Sequence, residues 1–122
     1  MKKLAFYDDV YGVQFVAFAN ITATALKVEI EKRFQPMVVP DDFEGVCING
    51  SNYIIIAFGN KADTKDLINT VSHECMHAVF DVMNKRGVDY STTGNNEAYT
   101  YYMGYLNNKI LPFVQRAYKV RK

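Results

Sequence analysis

Residues 63–87, DTKDLINTVSHECMHAVFDVMNKRG, decide the fold because they predict one long amphipathic helix. Asp63 or Thr64 is suited to open this helix, and Gly87 suits the left-handed turn that follows a helix. On a helical wheel the apolar side chains form one arc, and the polar side chains form another that is nearly opposite. The apolar arc contains Leu67, Val71, Cys75, Ala78, Val79 and Val82, and the polar arc contains Asp66, Thr70, His73, His77 and Asp81. We therefore expect one face of the helix to pack on a sheet and the other to line a cleft.

Two β-hairpins are predicted before this helix. Their strands are rich in branched and aromatic side chains, and the second pair flanks Asn49-Gly50, a strong hairpin signal. The four predicted strands are residues 3–7, 13–18, 44–48 and 53–58. The sequence therefore predicts a small, mainly antiparallel sheet.

Two further helices complete the predicted fold. Apolar residues recur every four positions in residues 21–34, where Asn20 can cap the helix and Pro36 ends the pattern. A last helix begins near Asn95-Asn96 and is apolar or aromatic almost all round, and we expect Pro112 to kink or restart it. The fold class is thus α+β, with residues 1–122 forming one domain in which one helix backs the sheet.

Composition and charge exclude several classes of partner. Lys and Arg number 14 against 13 Asp and Glu, so the net charge of +1 gives no reason to expect nucleic acid or an anionic membrane as a partner. No apolar segment approaches the length of a membrane span, and the apolar residues after the N-terminus are too few for a signal peptide. Cys47 and Cys75 are expected to stay reduced. We expect a cytoplasmic protein, and the sequence predicts no particular oligomeric state.

The predicted chemistry is carried by His73-Glu74-Cys75-Met76-His77, an H-E-x-x-H pattern within the long helix. Residues four apart on a helix stand one above the other, so His73 and His77 can bind one metal ion. Glu74 diverges from the imidazole pair and can act as general base on a water held by the metal. The prediction is one zinc ion per chain. Asp81, one turn after His77, either orients a ligand or is solvated.

Glu97 is the predicted third protein ligand. It follows His77 by twenty positions, and residues 87–94 would turn the chain back so that the next helix begins beside the metal. Glu97, Tyr101, Gly104 and Asn108 share one stripe of that helix, where a glycine would allow two helices to approach closely. Tyr101 is the best placed of the tyrosines to donate a hydrogen bond to an oxyanion, which makes it a candidate catalytic residue.

With His73, Glu74, His77 and Glu97 together, the sequence resembles the gluzincins, zinc peptidases whose third ligand is a glutamate on a helix after the motif. The resemblance covers residues 63–106, includes the thermolysin-like spacing, and extends by size to minimal gluzincins and small phage-encoded metallopeptidases. It implies a zincin-like fold, a bacterial or phage-infected host cell, and an edge strand that binds peptide in extended form. Residues 53–58 are our candidate for that edge. The chain departs from the larger enzymes because it lacks a second domain and has no further histidine.

Two functions follow from these residues. The first is a zinc metallopeptidase that hydrolyses peptide bonds in a peptide or protein substrate, with Glu74 as general base. The alternative is a zinc-stabilised, non-catalytic binding module that acts on a protein partner. Glu74 favours the first function, because a structural zinc site needs no base, whereas the small size of the chain favours the second.

Overall fold

The computed structural model describes residues 1–90 and 96–118 and has a mixed α+β fold. Four strands form one sheet, and three helices pack on it. The strands are β1 (Lys2–Asp8), β2 (Val13–Ile21), β3 (Gly45–Asn49) and β4 (Tyr53–Gly59). The helices are α1 (Ala23–Glu31), α2 (Leu67–Lys85, preceded by a short 3-10 helix, Thr64–Asp66) and α3 (Glu97–Ala117). The predicted fold class is confirmed at this level.

The strand order of the sheet is β1-β2-β4-β3. Both predicted hairpins are confirmed, because β1 pairs with β2 and β3 with β4 in antiparallel fashion, while β2 and β4 pair in parallel. The prediction that residues 53–58 form an edge strand is wrong, since β4 lies between β2 and β3. Ile54, Ile55, Ile56, Ala57 and Phe58 are all buried, and such a continuous apolar run suits a strand covered on both faces. The edge strand beside β4 is β3.

Alternating residues of the sheet contribute to two apolar layers. Phe15, Ala17, Ile54 and Ile56 face α2 and α3, and they share one buried cluster with the apolar side chains of these helices. Their neighbours Val16, Phe18, Ile55 and Ala57 join a second cluster with Leu26 and Ile30 of α1. The sheet therefore lies between α1 on one face and the pair α2 and α3 on the other.

The first helix is shorter than predicted, and a different residue caps it. Thr22 is the N-cap, and its hydroxyl accepts a hydrogen bond from the backbone N–H of Ala25 at 3.1 Å. Asn20 has a φ of 59° and lies where the pairing register of β2 shifts. Asparagine tolerates this left-handed conformation better than most residues, which explains its presence at the irregularity. The cap predicted at Asn20 is therefore wrong.

The last helix runs without a break through Pro112, so the predicted restart is wrong. Proline leaves the carbonyl four residues earlier without its helical donor. That carbonyl belongs to Asn108, which is exposed, so water can satisfy it. Within residues 1–90 and 96–118, no helix combines the length and the apolar character that crossing a membrane requires.

Two glycines give a matched test of the packing. A Cβ atom at Gly59, where β4 ends, would lie 2.1 Å from the backbone oxygen of Phe43, whereas one at Gly104 in α3 would meet nothing within 4 Å. We expect Gly59→Ala to lower the free energy of unfolding by about 3 kcal/mol or more. Gly104→Ala should raise it by roughly 0.5–1 kcal/mol, because alanine favours an exposed helix interior. Urea denaturation measures both, and equal midpoints for the two variants would contradict this packing.

Candidate metal centre

His73 and His77 lie one turn apart on the exposed side of α2 with their rings close together. Their Nε2 atoms are 3.2 Å apart, and the ring planes are inclined at 81°. Two nitrogen ligands of a tetrahedral zinc ion, each about 2.0–2.1 Å from the metal, are separated by about 3.3 Å. The spacing and chemistry of this pair therefore fit two of the ligands of a zinc site.

Glu74 lies beside the two imidazoles but occupies a different environment. Its Oε2 atom is 3.9 Å from the Nε2 atom of His73, and the three candidate ligand atoms lie within 4.8 Å of one another. The distance to His73 exceeds the roughly 3.3 Å expected between two tetrahedral ligands. The Glu74 carboxylate therefore lies beside the imidazole pair, and its role as general base stays a prediction.

Burial distinguishes this carboxylate from the exposed histidines. Glu74 is only 7% exposed, and it is one of two buried polar or charged residues in the described part of the chain. Burial raises the pKa of the Glu74 carboxyl above its ordinary value, while His73 and His77 act in the opposite direction. A carboxylate with a raised pKa is a stronger proton acceptor than an exposed one.

Gly45, the first residue of β3, covers Glu74. A Cβ atom at this position would lie 3.1 Å from Oε2 and 3.0 Å from Cγ of Glu74, and 2.8 Å from Cγ2 of Thr70. Only glycine therefore allows β3 to approach α2 this closely. The sequence analysis missed Gly45, since nothing in the local sequence indicates which residue of β3 crosses the helix.

The opposite face of α2 anchors the site, as the sequence predicted. All six residues of the predicted apolar arc are buried, and Met83 joins them. Cys75 is a buried free thiol whose pKa burial raises to about 12, so it is packed as a core residue. Because this face is fixed against the sheet, His73 and His77 are held on the outside.

Asp81 belongs to the predicted polar arc but has a structural partner. Its Oδ2 atom lies 3.0 Å from Nζ of Lys85, and the same ammonium group donates a hydrogen bond to the carbonyl oxygen of Gly50 at 2.8 Å. Gly50 lies between β3 and β4. Lys85 thus joins the end of α2 to the turn between β3 and β4, Asp81 pairs with Lys85 along the helix, and a role of Asp81 in orienting a ligand stays a prediction.

Glu97 begins α3 and is exposed. In the same turn, Tyr99 packs on Phe80 with ring centroids 5.2 Å apart and donates a hydrogen bond to the carbonyl of Val88 at 2.6 Å. The start of α3 thus lies beside α2, one turn beyond His77. The carboxylate of Glu97 is not part of the close group formed by His73, Glu74 and His77. Part of the preceding loop, residues 91–95, lies outside the described residues, and the ligand role of Glu97 stays a prediction.

The stripe of α3 predicted to face the metal is exposed. Its members Glu97, Tyr101, Gly104 and Asn108 are all exposed. A Cβ atom at Gly104 would meet nothing within 4 Å, so the close helix contact predicted there is wrong. Tyr101 lines a cavity between α3 and the turn that joins β1 to β2, and neither histidine lines that cavity. Its role as an oxyanion donor therefore stays a prediction that this placement does not support.

A buried hydrogen bond on the far side of α3 was also missed by the sequence analysis. The Tyr102 hydroxyl donates to Oδ2 of Asp8 at 2.6 Å, and Asp8 is only 4% exposed. Burial raises the pKa of the Tyr102 phenol, and the hydrogen bond to Asp8 adds to this effect. Asp8 falls just after the first predicted strand, and nothing in the local sequence indicates this hydrogen bond because its partner lies 94 residues away.

Comparison of this chain with protein-family models, with curated proteins and with solved structures found no match. The described residues therefore carry the argument for a metal centre by their own geometry. That geometry consists of two exposed imidazoles at zinc-ligand spacing and a buried carboxylate beside them.

Proposed function

We propose that this protein is a zinc-dependent metallopeptidase that hydrolyses peptide bonds with Glu74 as general base. The observation that supports it is the 3.2 Å separation of the His73 and His77 Nε2 atoms, with the Glu74 carboxylate 3.9 Å from the first. Two ligands and a base in this arrangement are the parts that metal-assisted hydrolysis requires. The proposed third ligand is Glu97.

The donor set fits zinc better than the hard cations. Imidazole nitrogens suit zinc and other transition metals, whereas magnesium and calcium prefer oxygen ligands. A zinc ion bound by His73, His77 and Glu97 would polarise the scissile carbonyl and make a water molecule easier to deprotonate.

Glu74 performs the proton transfers in the proposed reaction. Its carboxylate takes a proton from the attacking water, whose oxygen forms a bond to the carbonyl carbon of the substrate. The same carboxyl then returns the proton to the departing amine as the C–N bond breaks. Because Gly45 of β3 lies against Glu74, the carboxylate has little freedom to move toward the sheet.

The edge strand β3 is the proposed binding surface for the substrate backbone. Hydrogen bonds between Gly50 and Tyr53 and between Gly59 and Glu44 set the alternation of the β3–β4 ladder. Within this alternation, the N–H and C=O groups of Gly45, Cys47 and Asn49 point away from β4. In the described part of the chain no strand pairs with that side. An extended peptide can therefore add to β3 beside Glu74.

The alternative function, a zinc-stabilised binding module, has less support from the packing. Structural zinc stabilises domains by linking elements that lack a sufficient core. Here α2 buries Leu67, Val71, Cys75 and their neighbours against the sheet, so apolar packing holds this helix in place. His73 and His77 also belong to the same helix, so a metal held by them joins α2 to no other element unless Glu97 takes part.

The first prediction concerns metal content. We expect about one zinc ion per chain by elemental analysis after mild purification, and uptake of zinc by the metal-free protein. His73→Ala and His77→Ala should abolish uptake without unfolding the chain, since both side chains are exposed. Glu97→Gln should weaken zinc binding by roughly tenfold or more, because loss of a residue that merely hydrogen-bonds a metal ligand already has about this effect. Asn69→Ala, exposed on the same helix, is the control. Undiminished zinc uptake by His73→Ala would contradict the site.

The second prediction separates the base from the ligands. Glu74→Gln should keep the fold and the zinc, while cleavage of a diverse peptide library falls at least roughly a hundredfold, the usual share of general-base catalysis. Glu31→Gln, at the exposed end of α1, makes the same chemical change far from the site in sequence and should leave cleavage unchanged. Loss of zinc in Glu74→Gln would make Glu74 a ligand. Zinc binding without chelator-sensitive cleavage in the unmodified protein would favour the binding module.

The third prediction uses the contact between β3 and Glu74. Gly45→Ala places a methyl group against Thr70 and Glu74, so the carboxylate must move. We expect cleavage to fall by roughly tenfold, in line with the sensitivity of catalysis to small displacements of a catalytic group, while zinc binding persists. Gly104→Ala is the matched control, because the added methyl group there meets nothing. Equal activity of the two variants would show that Glu74 does not need its present position.

A further inference from the structure

A cavity of about 350 Å³ lies between α3 and the turn joining β1 to β2. This volume is within the range of small-molecule binding sites. Four tyrosines and two aspartates form most of its lining: Tyr11, Tyr101, Tyr102, Tyr105, Asp8 and Asp9. Neither histidine belongs to the lining, so any ligand of this cavity binds apart from the proposed metal.

The tyrosine rings are arranged as an aromatic wall. Tyr11 meets Tyr102 edge to face with centroids 5.0 Å apart, and Tyr102 stacks on Tyr105 at 5.9 Å with nearly parallel planes. Tyr101 is 75% exposed although it lines the cavity. Aromatic faces attract ammonium and guanidinium groups, and cages of such rings bind quaternary ammonium ligands. Within the protein, the Lys109 ammonium already lies 5.9 Å from the Tyr105 ring centroid.

The carboxylates of the cavity have no cationic partner in the protein's described residues. Asp8 is 4% exposed and accepts hydrogen bonds from two neutral donors, the Tyr102 hydroxyl at 2.6 Å and the backbone N–H of Val10 at 3.0 Å. Neither Asp8 nor Asp9 forms an ion pair within residues 1–90 and 96–118. Buried charges are normally paired, and a charge in a medium of low dielectric acts strongly on its surroundings. The cavity therefore combines aromatic rings with two carboxylates that form no ion pair within residues 1–90 and 96–118.

We propose that this cavity binds an organic cation through an alkylammonium or guanidinium group. Asp9, which is exposed, supplies a carboxylate that the ligand can contact. The buried Asp8 carboxylate, which is bonded to Tyr102, supplies a second negative charge. Tyr101 and Tyr105 line the cavity and supply aromatic rings, of which Tyr101 is the more exposed. The site is independent of zinc, so its test and the tests of the peptidase can fail separately.

The experiment compares a cation with its neutral isostere. The full chain, as purified, is titrated with choline and with 3,3-dimethylbutan-1-ol, which has the same shape without the charge, and binding is followed by nuclear magnetic resonance. We expect choline to shift the signals of Tyr11, Tyr101 and Tyr105 and to bind at least roughly fivefold more tightly than the alcohol. Equal affinity of the two probes, or no shift at the cavity tyrosines with choline, would overturn the proposal.

Variants locate the binding and identify the source of the cation. Asp9→Asn and Tyr101→Ala should each weaken choline binding by roughly two- to fivefold, and both residues are exposed enough to be replaced without loss of the fold. Tyr7→Ala removes an exposed tyrosine that does not line the cavity and should leave binding unchanged. Equal weakening by Tyr7→Ala and Tyr101→Ala would overturn the proposal.

Tighter binding of N-acetyl-arginine amide or N-acetyl-lysine amide than of choline assigns a peptide side chain, and the reverse order assigns a free quaternary ammonium.

Discussion

The packing of α2 against the sheet is the constraint on which the rest of the site depends. Its buried face includes Leu67, Val71, Cys75, Val79 and Val82. Burial of a larger aliphatic side chain contributes about 1.5–3 kcal/mol before entropic costs, so the helix cannot rotate about its axis without a large loss of stability. The contact at Gly45 adds a steric limit, because β3 can approach α2 only where no side chain intervenes. These two interactions fix which residues of α2 face outward and which face β3.

The chemistry of the motif follows from that fixed orientation. His73 and Glu74 are consecutive, and the roughly 100° step of a helix turns one toward solvent and the other toward β3. The imidazoles therefore remain accessible to a metal ion, while the carboxylate is partly removed from water. A small rotation of α2 would exchange these environments and remove the difference in burial between the two imidazoles and the carboxylate. The hydrogen bond from the Lys85 ammonium group to the Gly50 carbonyl opposes such a rotation at the end of the helix.

Local sequence was sufficient for the elements and for the motif, but not for their arrangement in space. The hairpins and α2 were predicted because periodicity, turn residues and the left-handed Gly87 are local properties, and Gly87 has the expected positive φ of 72°. The edge strand was predicted wrongly because strand order depends on pairing between distant segments. The face of α3 was predicted wrongly for a different reason. The predicted stripe carries Glu97, Gly104 and Asn108 and faces solvent, as polar and small residues of an amphipathic helix do, and only the search for a third ligand placed it against α2.

The position of α3 limits how Glu97 can complete a metal site. Tyr99 joins the first turn of α3 to Val88, and Tyr102 joins the next turn to the buried Asp8 through a 2.6 Å hydrogen bond. Rotating α3 to bring its exposed stripe toward α2 would break the Tyr102 bond and leave a buried carboxylate oxygen without its donor, a cost of about 1–3 kcal/mol or more. Glu97 is the first residue of the helix and is exposed, so its side chain can change conformation while these anchors persist. A third ligand from this position therefore requires a local rearrangement at the start of α3. The rearranged state becomes populated only if the free energy of zinc binding exceeds the cost of the rearrangement.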